Sequence, residues 1–109
     1  MHVYKIFRTA EWQAFHTAGQ TEGAPIDLTD GYIHLSTDAQ AQETADKHFA
    51  GETGLMLLAV DTDALGAALK WEPSRGGHLF PHLYRALTLA DVVWARPVAA
   101  DQNLDQVLA

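Results

Sequence analysis

Two short segments hold most of the side chains that can do chemistry. In DGYIHLST, residues 30–37, His34 closes a β-like run and directly precedes Ser36 and Thr37, with Gln40 one turn further on. A strand end that leads into a helix start presents free backbone N–H groups beside an imidazole and two hydroxyls, a ready site for an anion or for ribose. Read structurally instead, His34 is a hydrogen-bonded histidine that stitches its strand to a neighbouring loop. In FPHLY, residues 80–84, an extended backbone sets Phe80, His82 and Tyr84 on one side, joining an aromatic platform to an imidazole and a phenol that can stack a planar ring. Pro81 argues for an edge or a loop. The plainer alternative is an edge strand that tucks Phe80 and Tyr84 into the core.

Glu72 follows Trp71 in an extended stretch, where an indole that shields a carboxylate from water raises its pKa. Such a Glu can orient a hydroxyl or act as a base, or it can simply face solvent. Arg75, His78 and Arg85 flank FPHLY and can form a small positive pocket, or stand as solvated surface charges. A metal reading would combine His78 and His82 with His34 or Glu72. Pro81 spoils the helix that the i, i+4 histidine spacing needs, so no metal is expected. Ser36 and Ser74 lack a nucleophile-elbow context, which sets hydrolase triads aside. His34 and Glu72 are therefore the catalytic candidates, and Ser36, Thr37, Gln40, Arg75, His78, His82 and Tyr84 the ligand-binding ones.

Composition narrows the classes of function. Seven Lys and Arg against 14 Asp and Glu give a formal charge of −7, a mean field that repels nucleic acid and anionic lipid. The partner expected is a small anionic or nucleotide-like molecule, held by local charge against that field. The apolar run Leu55 to Val60 is far shorter than a bilayer span, so no membrane insertion is expected. The start, MHVYKIFRTAEW, lacks the pattern of a secretory signal, and the chain has no cysteine, which together suggest the cytoplasm. Nothing in the sequence sets the oligomeric state.

The elements that must position these residues follow from patterning. A length of 109 residues and a 48% hydrophobic composition suit one domain, residues 1–109. Val3 to Phe7 reads as a first strand. Thr9 caps a helix to Ala18 that ends at Gly19. Residues 20–31 read as loop, with a brief extended piece at Ile26 to Leu28. Tyr32 to Leu35 alternates as a strand, and Ser36 or Thr37 caps a second helix whose thin face is Ala41, Ala45 and Phe49. Leu55 to Val60 has the unbroken apolar pattern of a central strand. A short helical turn from Thr62, extended runs at 70–72, 79–83 and 92–95, and a weak C-terminal helix complete the chain. The fold class is α+β, a single compact domain with a twisted mixed or antiparallel sheet and two to three helices.

Taken in order, Trp12, DGYIHLST with Gln40, LMLLAVD at 55–61, Trp71-Glu72 and FPHLY resemble the domain-of-unknown-function family numbered 952 over nearly the whole chain. That family is distantly similar to the ADP-ribosyltransferase and RNA 2′-phosphotransferase group, through its strand, IHLS, Ala-rich helix and LLAVD strand. The resemblance implies an ADP-ribosyltransferase-like split sheet around a cleft, with His34 holding ribose hydroxyls and NAD as a possible cofactor. It further implies Tyr84 or Phe80 stacking a nicotinamide and Glu72 stabilising an oxocarbenium-like transition state. The functions carried forward are non-catalytic binding of a small anionic ligand around IHLS and FPHLY, ADP-ribosyl or related NAD-dependent transfer, and a protein-interaction module.

Overall fold

The computed structural model describes residues 1–109, the Arg75 side chain excepted. The apolar run forms β4 (Leu55–Asp61), and it lies between β1 (His2–Arg8) and β8 (Val92–Val98) in an antiparallel sheet ordered β1-β4-β8. Alternation along β4 feeds two cores. Leu58 and Val60 join Val3, Phe7, Phe15, Ile33 and Leu83 on one side. Leu55 and Leu57 join Ile6, Ala41, Ala45, Leu104 and Val107 on the other. A strand covered on both faces has no solvent side to make polar, which is why its sequence is apolar throughout.

Helix α1 (Thr9–Ala18) packs Phe15 into the first core. Helix α3 (Asp38–His48) lies over the second core through Ala41 and Ala45, whose small side chains allow a close approach. Its N-cap is Thr37, which accepts a hydrogen bond from the Gln40 amide at 3.3 Å while Gln40 Oε1 accepts from the Thr37 amide at 3.1 Å, a complete capping box. The C-terminal helix α5 (Leu104–Leu108) closes the same core, capped by Asn103.

A second antiparallel sheet is ordered β3-β6-β5, from β3 (Ile33–His34), β5 (Leu69–Pro73) and β6 (Leu79–Leu83). The edge position expected for Pro81 does not hold, since Pro81 is buried in the middle strand. The sheet tolerates it because β3 pairs with β6 only at Ile33 and His34. At the Pro81 level only an acceptor is needed, and the Pro81 carbonyl takes the Leu35 amide at 3.0 Å. One bridge joins the two sheets, with Tyr4 donating to the Ser36 carbonyl at 2.7 Å and Ser36 donating back at 2.9 Å. A small pair, β2 (Gln20–Thr21) with β7 (Leu87–Thr88), sits apart. All pairings are antiparallel, within an α+β domain.

Five helices form, more than the two to three expected. The unforeseen one is α2 (Pro25–Asp30), in the stretch read as a loop with an extended piece. Its local logic is plain. Pro25 stands in the first turn with φ preset, Asp27 at the third position accepts from the Ala24 amide at 2.7 Å, and Gly31 ends the helix in the left-handed conformation at φ 85°. The turn from Thr62 is also shorter than expected: α4 (Thr62–Leu65) is capped by Asp61, and a 3₁₀ turn follows it.

The fully buried side chain of Leu58 gives a test of the central strand. Leu58→Ala is expected to lower unfolding stability by about 2–5 kcal/mol, read by urea denaturation. A loss under 1 kcal/mol would show that β4 is not the core strand.

Candidate functional site

The split between the two sheets opens a cavity of about 700 Å³, lined by Lys5 and Arg8 of β1, His34, Leu35 and Ser36, Lys47 and His48 of α3, and Phe80 and His82 of β6, among others. It is built around a buried charge. Lys5 lies in phase with Val3 and Phe7 and is 5% exposed, so its ammonium is carried into the interior. There it donates to Asp27 Oδ2 at 2.7 Å and to the His34 carbonyl at 3.1 Å.

Asp27 is 1% exposed and every lone-pair direction it offers is used. Oδ2 takes Lys5 and the Ala24 amide, and Oδ1 takes the His34 amide at 3.0 Å and His34 Nδ1 at 2.6 Å. Burial alone would raise its pKa, but the hydrogen bonds from His34 and the charge of Lys5 outweigh it and hold the carboxyl at about 2. Burial works the other way on Lys5 and pushes its pKa down, against the pull of Asp27. Gly23 at φ 107° makes room, for a Cβ there would collide with the Asp27 carboxylate.

His34 is consequently clamped at both ring nitrogens, Nδ1 on Asp27 and Nε2 on Asp30 at 3.0 Å. His82 pairs in register with His34 across β3 and β6, with ring centroids 5.5 Å apart. Its Nδ1 lies 2.8 Å from Glu72 Oε1, and the same oxygen accepts the Tyr84 hydroxyl at 2.6 Å. The Tyr84 hydroxyl and then His82 hold Glu72 below the usual carboxylate range, and the bond to Glu72 pushes the Tyr84 phenol up to about 12. Tyr32 stacks across the group, 4.2 Å from the His82 ring, 4.6 Å from His34 and 5.3 Å from Tyr84. His82 Nε2 is buried with no hydrogen-bond partner.

Of the residues singled out from the sequence, His34, Ser36 and His82 line the cavity together. Glu72 lies outside the lining, bonded both to His82 and to Tyr84, which is also off it. Thr37 and Gln40 form the α3 cap, and Gln40 Nε2 also donates to the Leu79 carbonyl at 2.8 Å. His78 is exposed and lies off the lining. The Arg75 side chain lies outside the described residues. Arg85 is committed elsewhere, in a bidentate pair with Asp91 at 2.8 and 3.0 Å. Ser36 donates to or accepts from Thr44 at 3.0 Å. Sequence reasoning missed Lys5, Asp27 and Tyr32. The available signals were a lysine in phase with an apolar strand face, and an aspartate two residues after a proline.

Residues 6–95 match the model of a family described as Protein of unknown function (DUF952), and the chain belongs to that family. The chain is 46% identical to Protein CC0527 from Caulobacter crescentus and matches its X-ray crystal structure with a TM-score of 0.90, covering 100% of both chains. A double mutant of that protein gives 0.89 at the same identity and coverage. The solution NMR structure of CC0527 matches at 50% identity and a TM-score of 0.80, covering 94% of this chain and 90% of that one. No match emerges among curated proteins. Among the described residues, no helix is long and apolar enough to cross a membrane.

The buried pair sets a dependence on pH. A folded-state pKa of about 2 against an ordinary 3.8 means that ionised Asp27 adds stability above about pH 4, lost as pH falls toward 2. At 1.36 kcal/mol per unit, the difference is about 2 kcal/mol. Asp27→Asn is expected to cost about 3–5 kcal/mol at pH 7, and its deficit against wild type to narrow by about 2 kcal/mol between pH 5 and pH 2. Urea denaturation across that range reads both, and a deficit independent of pH would reject the assignment.

Proposed function

We propose that this domain binds a small anionic, nucleotide-like ligand in the cavity between its two sheets. The observation that carries this reading is the sign of the lining. Three of the chain's seven Lys and Arg (Lys5, Arg8 and Lys47) and three of its six histidines (His34, His48 and His82) border the cavity, and no carboxylate side chain does. In a protein of net charge −7 that segregation runs against the mean composition. A cavity of about 700 Å³ also has the size of small-molecule sites, which span roughly 300–1,000 Å³.

The cations differ in availability. Lys5 is neutralised by Asp27, and Arg8 is paired with Glu52 at 2.8 Å. Lys47 makes no ion pair with a described residue and has the most to gain from an anion. Ser36 and Phe80, both on the lining, supply a hydroxyl and an aromatic surface, as a nucleotide would use.

The ADP-ribosyltransferase-like reading shares this pocket and would make NAD the ligand, with His34 and Glu72 as catalytic residues. It needs Glu72 and Tyr84 at the reacting centre. Their mutual bond outside the lining supports binding over transfer. Turnover separates the two: consumption of NAD by wild type that His34→Ala abolishes would establish transfer.

Titration of AMP, ADP-ribose and NAD, followed by NMR or calorimetry, is expected to show saturable binding that weakens with salt. Lys47→Ala should weaken it about tenfold, the equivalent of a charge-assisted hydrogen bond. Absence of binding at millimolar ligand, or a Lys47→Ala variant that binds as well as wild type, would overturn the proposal.

A further inference from the structure

We infer that His82, and not His34, is the hydrogen-bond acceptor that reads a hydroxyl group of the bound ligand, which makes the ligand class a hydroxylated phosphate rather than a bare anion. The inference rests on the anion-binding reading of the cavity and adds to it a buried ring nitrogen there that has no hydrogen-bond partner.

The two histidines look alike in sequence, each followed by Leu and then a hydroxyl residue, and they sit opposite one another in the β3-β6 ladder. Their surroundings differ. His34 Nδ1 is bonded to Asp27 and its Nε2 stands 3.0 Å from the Asp30 carboxylate, so both ring nitrogens already face acceptors. At His82 only Nδ1 does. The Glu72 carboxylate can only accept, so Nδ1 of His82 carries a proton toward it, and in the tautomer this selects Nε2 is the acceptor.

That acceptor has no partner and is closed to water, although His82 as a whole is 3% exposed and its ring borders the cavity. Buried polar atoms are nearly always paired, so an orphan on a ring that borders a cavity points to a missing donor. The group that completes it donates a hydrogen bond from within a space that also presents Lys5, Arg8 and Lys47. A phosphate at neutral pH supplies acceptors to the cations and little to Nε2. A sugar or polyol phosphate supplies both, its phosphate to the Lys47 side and its hydroxyl to His82.

Glu72 and Tyr84 then have a defined part. They are positioning residues: the Tyr84 hydroxyl and His82 Nδ1 converge on one carboxylate oxygen, at 2.6 and 2.8 Å, which fixes the tautomer of His82. The tautomer is what decides whether the wall accepts or donates.

The test compares ribose 5-phosphate with methyl phosphate, which carries the anion without a free hydroxyl on its carbon frame. Wild type is expected to bind ribose 5-phosphate about tenfold more tightly, the worth of one hydrogen bond to a buried acceptor. In His82→Phe the preference should collapse toward unity while methyl phosphate affinity is kept. Glu72→Gln, which leaves the ring in place but lets it exchange tautomers, should reduce the preference partway. Nitrogen-15 NMR of wild type should show His82 Nε2 unprotonated, a readout that depends on no ligand. If both phosphates bind alike, or if Nε2 carries the proton, this inference is wrong while anion binding stands. If neither phosphate binds, the anion-binding reading itself fails and this inference falls with it.

Discussion

Everything at the sheet junction depends on one buried ion pair, Lys5 with Asp27. An ammonium and a carboxylate taken from water each carry a desolvation penalty of several kcal/mol, and their attraction recovers it only if the remaining donors and acceptors are also filled. Here they are. Asp27 accepts from Lys5, from two backbone amides and from His34, while Lys5 also donates to the His34 carbonyl. The pair thereby ties β1 to α2 and to β3, three segments that share little other packing. It fixes the His34 ring by one carboxylate oxygen and its backbone by two further bonds.

Because apolar residues of similar volume often serve as well as a buried pair for stability, the value of this one lies in position. It joins β1 to α2 and β3 close to the Tyr4 to Ser36 bridge, the backbone link between the two three-stranded sheets. The cavity lies beside that junction. Its polarity follows from the same arrangement, since the carboxylates bonded to or facing Lys5, His34 and His82 stay off the cavity wall. The site presents cations, hydroxyls and imidazoles while the protein as a whole carries a net charge of −7.

Much of the scaffold was legible in the sequence. The apolar run at Leu55 to Val60, the Thr37 cap with Ala41 and Ala45 behind it, and the helix from Thr9 to Gly19 obey local rules, and local rules need only near neighbours. Pro81 misled because its strand position depends on how far β3 pairs alongside it, a property of another segment. Helix α2 was missed although Pro25, Asp27 and Gly31 spell its first turn and its end, because six residues give too short a period to stand out from a loop rich in Gly and Pro.

Sequence by itself determined the fold class, the central strand and the two segments that carry the histidines, since these depend on hydrophobic periodicity and on caps within a few residues. Only the tertiary structure decided which nitrogen of each histidine is spent. That choice rests on carboxylates 4, 7 and 10 residues away, brought close by a helix, a turn and a hairpin, and on a lysine 22 residues from its partner. Two similar motifs, His-Leu-Ser and His-Leu-Tyr, thus stand in different surroundings, His34 Nε2 beside Asp30 and His82 Nε2 buried without a partner. Hydrogen-bonding capacity belongs to the pair of groups, and no pattern in one strand records what the next segment places against it.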